Sequence, residues 1–325
     1  MHRRDFMAGA LALPILANGT RAFASDPLMK VIFPFSAGGG GDVLCRLVAQ
    51  EISQPLDRTV IVENRTGADG LIGIRAVKTA TPDGTMALVT TGPTMYLLPM
   101  VETHPSFNTE KDFVPVSLLA RFDFGIVAGP AVSADLKQLD FKQLVTWLKD
   151  HPSQATFGVP SNGTIPHFTG SKLEKILGIT MTRVAYRGSA PVINDLLGKT
   201  LPFGITTVAD AVGQHRAGGV KILAVSSAER SPLLPDVPTL KESGIDLVAD
   251  SWYGMWLPAG SSTDFASKLS VAASAALAKP DVTQKLLAIG LRPVGSTPEG
   301  LKKELADDTA FWQPIVKATG YKVEN

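Results

Sequence analysis

Short apolar runs and stretches of helical periodicity alternate twice along this chain, a rhythm that only a layered α/β fold accommodates. Residues 31–35, Val-Ile-Phe-Pro-Phe, read as a buried strand. Residues 43–52 carry apolar side chains at 43, 44, 47, 48 and 52, the face of a helix. A second strand at 60–62, a second helix at 73–80 and a third strand at 86–90 complete a βαβαβ run, which predicts a parallel sheet with right-handed crossovers. A second series starts past Phe122, with a helix over 136–149, a strand over 156–159 and a helix over 168–177 closed by Gly178. A strand over 182–186, a helix over 190–197 closed by Gly198, and strands at 203–206 and 220–225 follow. Helices return at 265–278, 282–289 and 298–309. No repeat or low-complexity linker separates the series, so the pattern predicts two α/β lobes joined by crossing strands with a cleft between them. The expected division is 25–123 plus 226–325 for the first lobe and 124–225 for the second.

The first 24 residues differ from the rest. A basic start containing Arg3 and Arg4 precedes an apolar run over 8–17, and Ala22-Phe23-Ala24 supplies a small-x-small cleavage site. Arg3-Arg4 followed by Phe6 is similar to a twin-arginine export signal, although the flanking Ser and Lys of that signal are absent. No cysteine follows the apolar run, so a lipid anchor is not expected. Export would remove three arginines and one aspartate and leave the mature chain near −1.

A formal charge of +1 with no basic stripe offers nothing to neutralise phosphates, which argues against nucleic acid as a partner. Cys45, the one cysteine, excludes an intrachain disulfide and sits within a helical apolar pattern as a small buried hydrophobe. A thiolate metal site is excluded, and His104, His151, His167 and His215 form no His-x-x-x-His pair, so no metal or cofactor is expected.

Two glycine-bearing loops carry the functional signal. Phe33-Pro34-Phe35-Ser36-Ala37-Gly38-Gly39-Gly40-Gly41-Asp42 leads from a strand into a helix; its glycines permit close backbone approach, and Asp42 is placed to cap the helix. The spacing fails the dinucleotide fingerprint, since Val43 stands at its sixth position, and fails the P-loop, since Asp42-Val43 replaces Lys-Ser/Thr. A carboxylate held by backbone amides suits the loop better. Phe157-Gly158-Val159-Pro160-Ser161-Asn162-Gly163-Thr164-Ile165-Pro166-His167 repeats the arrangement in the second series, so two loops are placed to pinch one small ligand.

At these loops the chain resembles the tripartite tricarboxylate transporter solute-binding family, also called the Bug family. The markers are Pro34-Phe35-Ser36-Ala37-Gly38-Gly39-Gly40 with Asp42, Val62-Glu63-Asn64-Arg65, Pro82-Asp83-Gly84-Thr85, Asn162-Gly163-Thr164 with Pro166-His167, and Tyr186-Arg187-Gly188. Leu223-Ala224-Val225 with Arg230-Ser231, Leu234-Pro235-Asp236-Val237-Pro238-Thr239 and Trp252-Tyr253-Gly254 follow in order. The resemblance implies a periplasmic, monomeric type II periplasmic binding protein. Its ligand would be a small di- or tricarboxylate or an aromatic acid, delivered to membrane permease subunits or, alternatively, to a sensor kinase. It also implies that the two loops hold a ligand carboxylate through backbone amides. Gly41 departs from the family's usual Thr, and Thr66 and Asp69 replace the usual Pro and Gly. An Asp common near position 206 is absent, which argues against an amino-acid ligand.

The expected contacts are therefore Phe35, Ser36, Ala37, Gly38, Gly39, Gly41 and Asp42 from the first loop, and Ser161, Asn162, Gly163, Thr164 and His167 from the second. Thr91, Tyr186, Thr206 and Thr207, at or just past strand ends, join them, with Arg187 a further candidate beside Tyr186. Trp252-Tyr253 reads as core. Ser161 lies in Gly-x-x-Ser-x-Gly, one residue out of step with the nucleophile elbow, and no base with a supporting partner stands out, so binding is expected and catalysis is not.

Overall fold

The computed structural model describes residues 28–323 except Arg187; the export-signal reading of residues 1–24 lies outside the described residues. The first series forms β1 (Leu28–Phe33), α1 (Gly40–Leu56), β2 (Thr59–Asn64), α2 (Leu71–Lys78), β3 (Met86–Thr91), α3 (Gly92–Val101), α4 (Thr109–Asp112) and β4 (Phe113–Phe122). After Asp123 alone, the second series runs β5 (Phe124–Ala128), α5 (Phe141–Asp150), β6 (Thr156–Val159), α6 (Ile165–Leu177), β7 (Thr182–Ala185), α7 (Ser189–Leu197), β8 (Phe203–Thr207), α8 (Val208–Arg216) and β9 (Lys221–Val225). The chain then returns through β10 (Ser251–Pro258), α9 (Thr263–Leu277), α10 (Pro280–Ala288), β11 (Arg292–Pro293) and α11 (Pro298–Thr319).

Two sheets result, ordered β11-β4-β10-β3-β1-β2 and β7-β6-β8-β5-β9. β1 pairs in parallel with both β2 and β3. The connections β1→β2 and β2→β3 run in opposite directions along the sheet, so right-handed crossovers place α1 and α2 on opposite faces. That double cover explains why Val31, Ile32 and Phe33 are all buried, whereas the edge strand β2 keeps its side chains partly exposed. Trp252 and Trp256 of β10 fill the middle of this core. Cys45 is buried within it, and burial pushes its thiol far above the ordinary range.

Local chemistry shifts several boundaries. The helix expected from 136 starts at Phe141, because Asp140 accepts the Gln143 N–H at 2.7 Å while the Gln143 side chain accepts the Asp140 N–H at 2.8 Å, a capping box. Asp42 does not cap α1. The helix starts three residues earlier, after Gly39, and Asp42 in its first turn reaches back to accept the Gly38 N–H at 3.0 Å. Gly178 closes α6 in the left-handed conformation as expected, but after α7 the left-handed residue is Lys199, not Gly198. Periodicity alone did not assign α3, α8, β4, β5 or β10.

A charged cluster braces the segments that join the lobes. Arg121 pairs with Asp250 at 3.3 Å and Glu304 at 2.5 Å, and Arg292 pairs with the buried Asp123 at 2.6 Å. Asp308 accepts the Trp252 Nε1–H at 2.7 Å. Burial, with Glu304 and Asp250 adding to it, pushes the Asp308 carboxyl up to about 6, against the Trp252 hydrogen bond and Arg121. Below the ordinary carboxylate pKa both folded and unfolded states hold this proton. As pH rises towards 6 the unfolded chain ionises freely while the folded one does not, so this part of the stability is lost with rising pH. Asp308→Asn keeps an acceptor for Trp252 and removes the buried charge. It is expected to stabilise the protein at pH 7 by about 1–3 kcal/mol, with the gain vanishing near pH 4, read from urea unfolding at both values.

Candidate functional site

β4 runs parallel to β1 and β3 because both β3 and β4 are antiparallel to β10, so the C-terminal ends of β1, β3 and β4 share one edge with the start of β10. In the second sheet, β6, β7, β8 and β9 likewise end on the edge where β5 begins. Residues from both edges line one cleft of about 700 Å³, the location expected for ligands in α/β sheets.

Five helices begin at this cleft. The turn before α2 contributes Ala68, α3 contributes its cap Thr91 with Pro93 and Thr94, and α6 its cap Thr164 with Ile165 and Pro166; α7 contributes Ser189 and α8 its cap Thr207. The first N–H groups of a helix have no helical partner, although Thr91 and Thr207 each cap one, and the positive end of each helix dipole lies at the cleft, worth about 0.3–2 kcal/mol per helix for an anion held there. Among the described lining residues there is no Lys, Arg or His, and the one acid, Glu102, accepts both the N–H and the hydroxyl of Ser106.

Of the residues singled out from sequence, Phe35, Thr91, Ser161, Asn162, Gly163, Thr164, Tyr186 and Thr207 come together in the lining. Ser36, Ala37, Gly38 and Gly39 are exposed and stand outside it. Gly41 is buried, and a Cβ there would lie 2.5 Å from the Phe33 ring and 2.8 Å from the Tyr253 ring. Asp42 is buried and turned inward, where Arg46 donates to it at 2.9 Å and Asn64 at 2.9 Å. Burial opposes its charge, but Arg46, the Gly38 N–H and Asn64 together hold its carboxyl below the ordinary range. Asn64 also donates to the Phe35 carbonyl at 3.1 Å, so this network fixes the loop from beneath. Thr206 is fully buried behind Thr207. Arg187 lies outside the described residues.

The lining hydroxyls are largely engaged. Thr91 and Thr94 bond each other at 2.7 Å, Thr164 donates to the Ser161 carbonyl at 2.9 Å, and Thr207 donates to Asp210 at 2.6 Å. Tyr186 donates to Asp195 at 2.7 Å; burial and that bond push its phenol up to about 12. Residues that the sequence reading did not select complete the wall: Phe122 and Phe124 on either side of the crossing, Ser251, and Tyr321 after the last helix. Trp252 is core as expected, but Tyr253 is partly exposed and lines the cleft, because neighbours on a strand face opposite sides. The one available signal was the alternation of Ser251 and Tyr253 about Trp252.

His167 supports the second loop from behind, accepting the Gly163 N–H at Nδ1 over 3.0 Å, and its ring packs edge-on against Tyr321. Burial, then Arg183 beside it, lowers its pKa to about 4. The neutral ring is required at Nδ1, because a protonated nitrogen would face the Gly163 N–H as a second donor. The unfolded chain takes up this proton near pH 6.5, so the stability His167 contributes is present above that value and is lost as pH falls towards 4. His167→Gln, which keeps an acceptor, is expected to flatten the stability–pH curve between 4 and 6.5; the check is the difference between its urea midpoints and those of the wild type.

Known proteins share this sequence pattern and this fold. A family model described as the tripartite tricarboxylate transporter family receptor matches residues 44–321. The "UPF0065 protein in tcbD-tcbE intergenic region" of Pseudomonas sp. (strain P51) is 31% identical over 326 residues, spanning 97% of this chain and 94% of its own. Among solved structures, an R. palustris protein with adipate superposes with a TM-score of 0.81 at 26% identity, covering 92% of this chain and 98% of that one. MatC from Rhodopseudomonas palustris with bound malate gives 0.76 at 25% identity, covering 89% and 98%. Taken with a cleft set between the C-terminal edges of two sheets, a match of this extent means that the chain belongs to the tripartite tricarboxylate transporter receptor family.

Proposed function

We propose that the protein is a periplasmic receptor that closes two lobes, 25–123 with 226–325 and 124–225, on a small carboxylate and delivers it to tripartite-type permease subunits without chemical turnover. The observation that carries this reading is the convergence of five helix starts on a cleft with no cationic side chain among its described lining residues. Such a field suits a carboxylate, whose oxygens accept backbone N–H bonds. The adipate and malate held by related proteins support the same ligand class. The export pattern of residues 1–24 supports the compartment.

Closure follows if ligand contacts from both edges are available only together, so that binding shifts the lobes towards the closed state and expels water that would weaken the amide–carboxylate bonds. Calorimetry and thermal-shift assays of the protein from residue 25 with adipate, malate, citrate and benzoate test the reading. At least one is expected to raise the melting temperature by several degrees and to be recovered unchanged by NMR. No binding by any of them to folded protein would overturn it.

A further inference from the structure

We propose that the cleft is specific for a carboxylate carried on a flat aromatic ring, which lies on Tyr253 and Phe122 while the Ser251 hydroxyl serves as a polar contact on the ligand. This rests on the carboxylate-receptor reading and narrows it.

The first support is the aromatic floor. The Phe122 and Tyr253 rings lie 4.9 Å apart and tilted by 30°, and Phe122 meets Phe124 edge-on at 5.6 Å. Tyr253 continues to Phe33 at 6.1 Å, and Phe33 meets Phe35 at 5.3 Å. Phe35, Tyr253, Phe122 and Phe124 all line the cleft; Phe35 and Tyr253 are partly exposed there, while Phe122 and Phe124, on either side of Asp123, are 7% and 6% exposed. Register produces it: Ser251 pairs with Phe122, and Tyr253 pairs with Thr91, on the strand edge facing the cleft. Gly41 seats it, because any side chain there would collide with both the Phe33 and the Tyr253 rings.

The second support is the supply of polar partners. Thr91, Thr94, Thr164, Thr207 and Tyr186 spend their hydroxyl groups within the protein. Ser251, by contrast, lines the cleft, is 1% exposed, and its Oγ has no hydrogen-bond partner among the described residues. A buried hydroxyl without a partner is a standing cost that a ligand atom relieves. Such a contact beside the partly exposed Tyr253 and Phe35 rings suits a flat ring that carries a carboxylate. A short aliphatic chain would cover less of the Tyr253 and Phe35 rings than a flat ring does.

The test is a calorimetric comparison of benzoate with adipate, malate and citrate on wild type, Tyr253→Leu and Ser251→Ala. Benzoate is expected to bind at least tenfold more tightly than each of the others. Tyr253→Leu is expected to weaken benzoate at least tenfold while changing any aliphatic acid less than threefold, and Ser251→Ala to weaken benzoate at least threefold. A general loosening of the fold would lower all affinities alike, and that outcome overturns the aromatic seat. Tighter binding of adipate, malate or citrate also overturns it, yet leaves the carboxylate receptor standing. No binding of any of the four removes both.

Discussion

Gly163→Val should raise the dissociation constant for whichever carboxylate binds by about 10- to 100-fold, equivalent to about 1.4–2.8 kcal/mol, with the far-UV circular dichroism unchanged. Gly163 has φ +68°, a left-handed conformation that a β-branched residue adopts at a cost of about 1–2 kcal/mol. Its Cβ would stand 3.4 Å from Tyr321 and 3.7 Å from Val101, and both neighbours are rooted in the other lobe. Relief comes by turning the loop, which breaks the Gly163–His167 bond and misaligns the amides at the start of α6. Gly38→Val is the matched control. Its φ is +88°, so the backbone strain is comparable, but its Cβ would meet nothing within 4 Å and the residue lies outside the lining. It is expected to affect affinity less than threefold. Wild-type affinity in Gly163→Val would remove the second loop from the binding model.

Arg121→Met is expected to have the largest effect on stability, a loss of about 3 kcal/mol read as a lower urea midpoint. Arg121 faces Asp250 and Glu304 in a cluster where four acids stand against two arginines. Burial would depress the arginine, yet Asp250 and Glu304 more than compensate and hold its proton more firmly. Removing it leaves partly buried carboxylates without their counter-charge, and that uncompensated charge sets the size of the loss. Adding Asp308→Asn takes one acid out of the same cluster, so the double variant is expected to recover about 1 kcal/mol more than the two separate effects predict. Strict additivity would mean that Asp308 and Arg121 do not share one network.

The βαβαβ opening, the second α/β series and the left-handed close of α6 at Gly178 were legible in the chain because each is local. Periods of 2 and 3.6 and a missing Cβ act within a few neighbouring residues. The second glycine loop was legible for the same reason, and Ser161, Asn162, Gly163 and Thr164 all line the cleft. The first loop shows the limit. Its four glycines marked a turn, but whether Ser36 to Gly39 face a ligand or solvent depends on the Asp42–Arg46–Asn64 network, which joins positions far apart in sequence.

By itself, the sequence determined the two-series α/β order, the burial of Cys45 and the glycine-bearing turns that lead into α1 and α6. Only the tertiary structure decided which side chains meet in the cleft. Ser251 and Tyr253 face it while Trp252 does not, Phe122 and Phe124 join across a one-residue crossing, and Tyr321 reaches His167 from beyond the last helix. Local periodicity states that a strand has two faces, but strand register and the path of the crossings choose which face meets the ligand, and those are set by packing between residues more than a hundred positions apart.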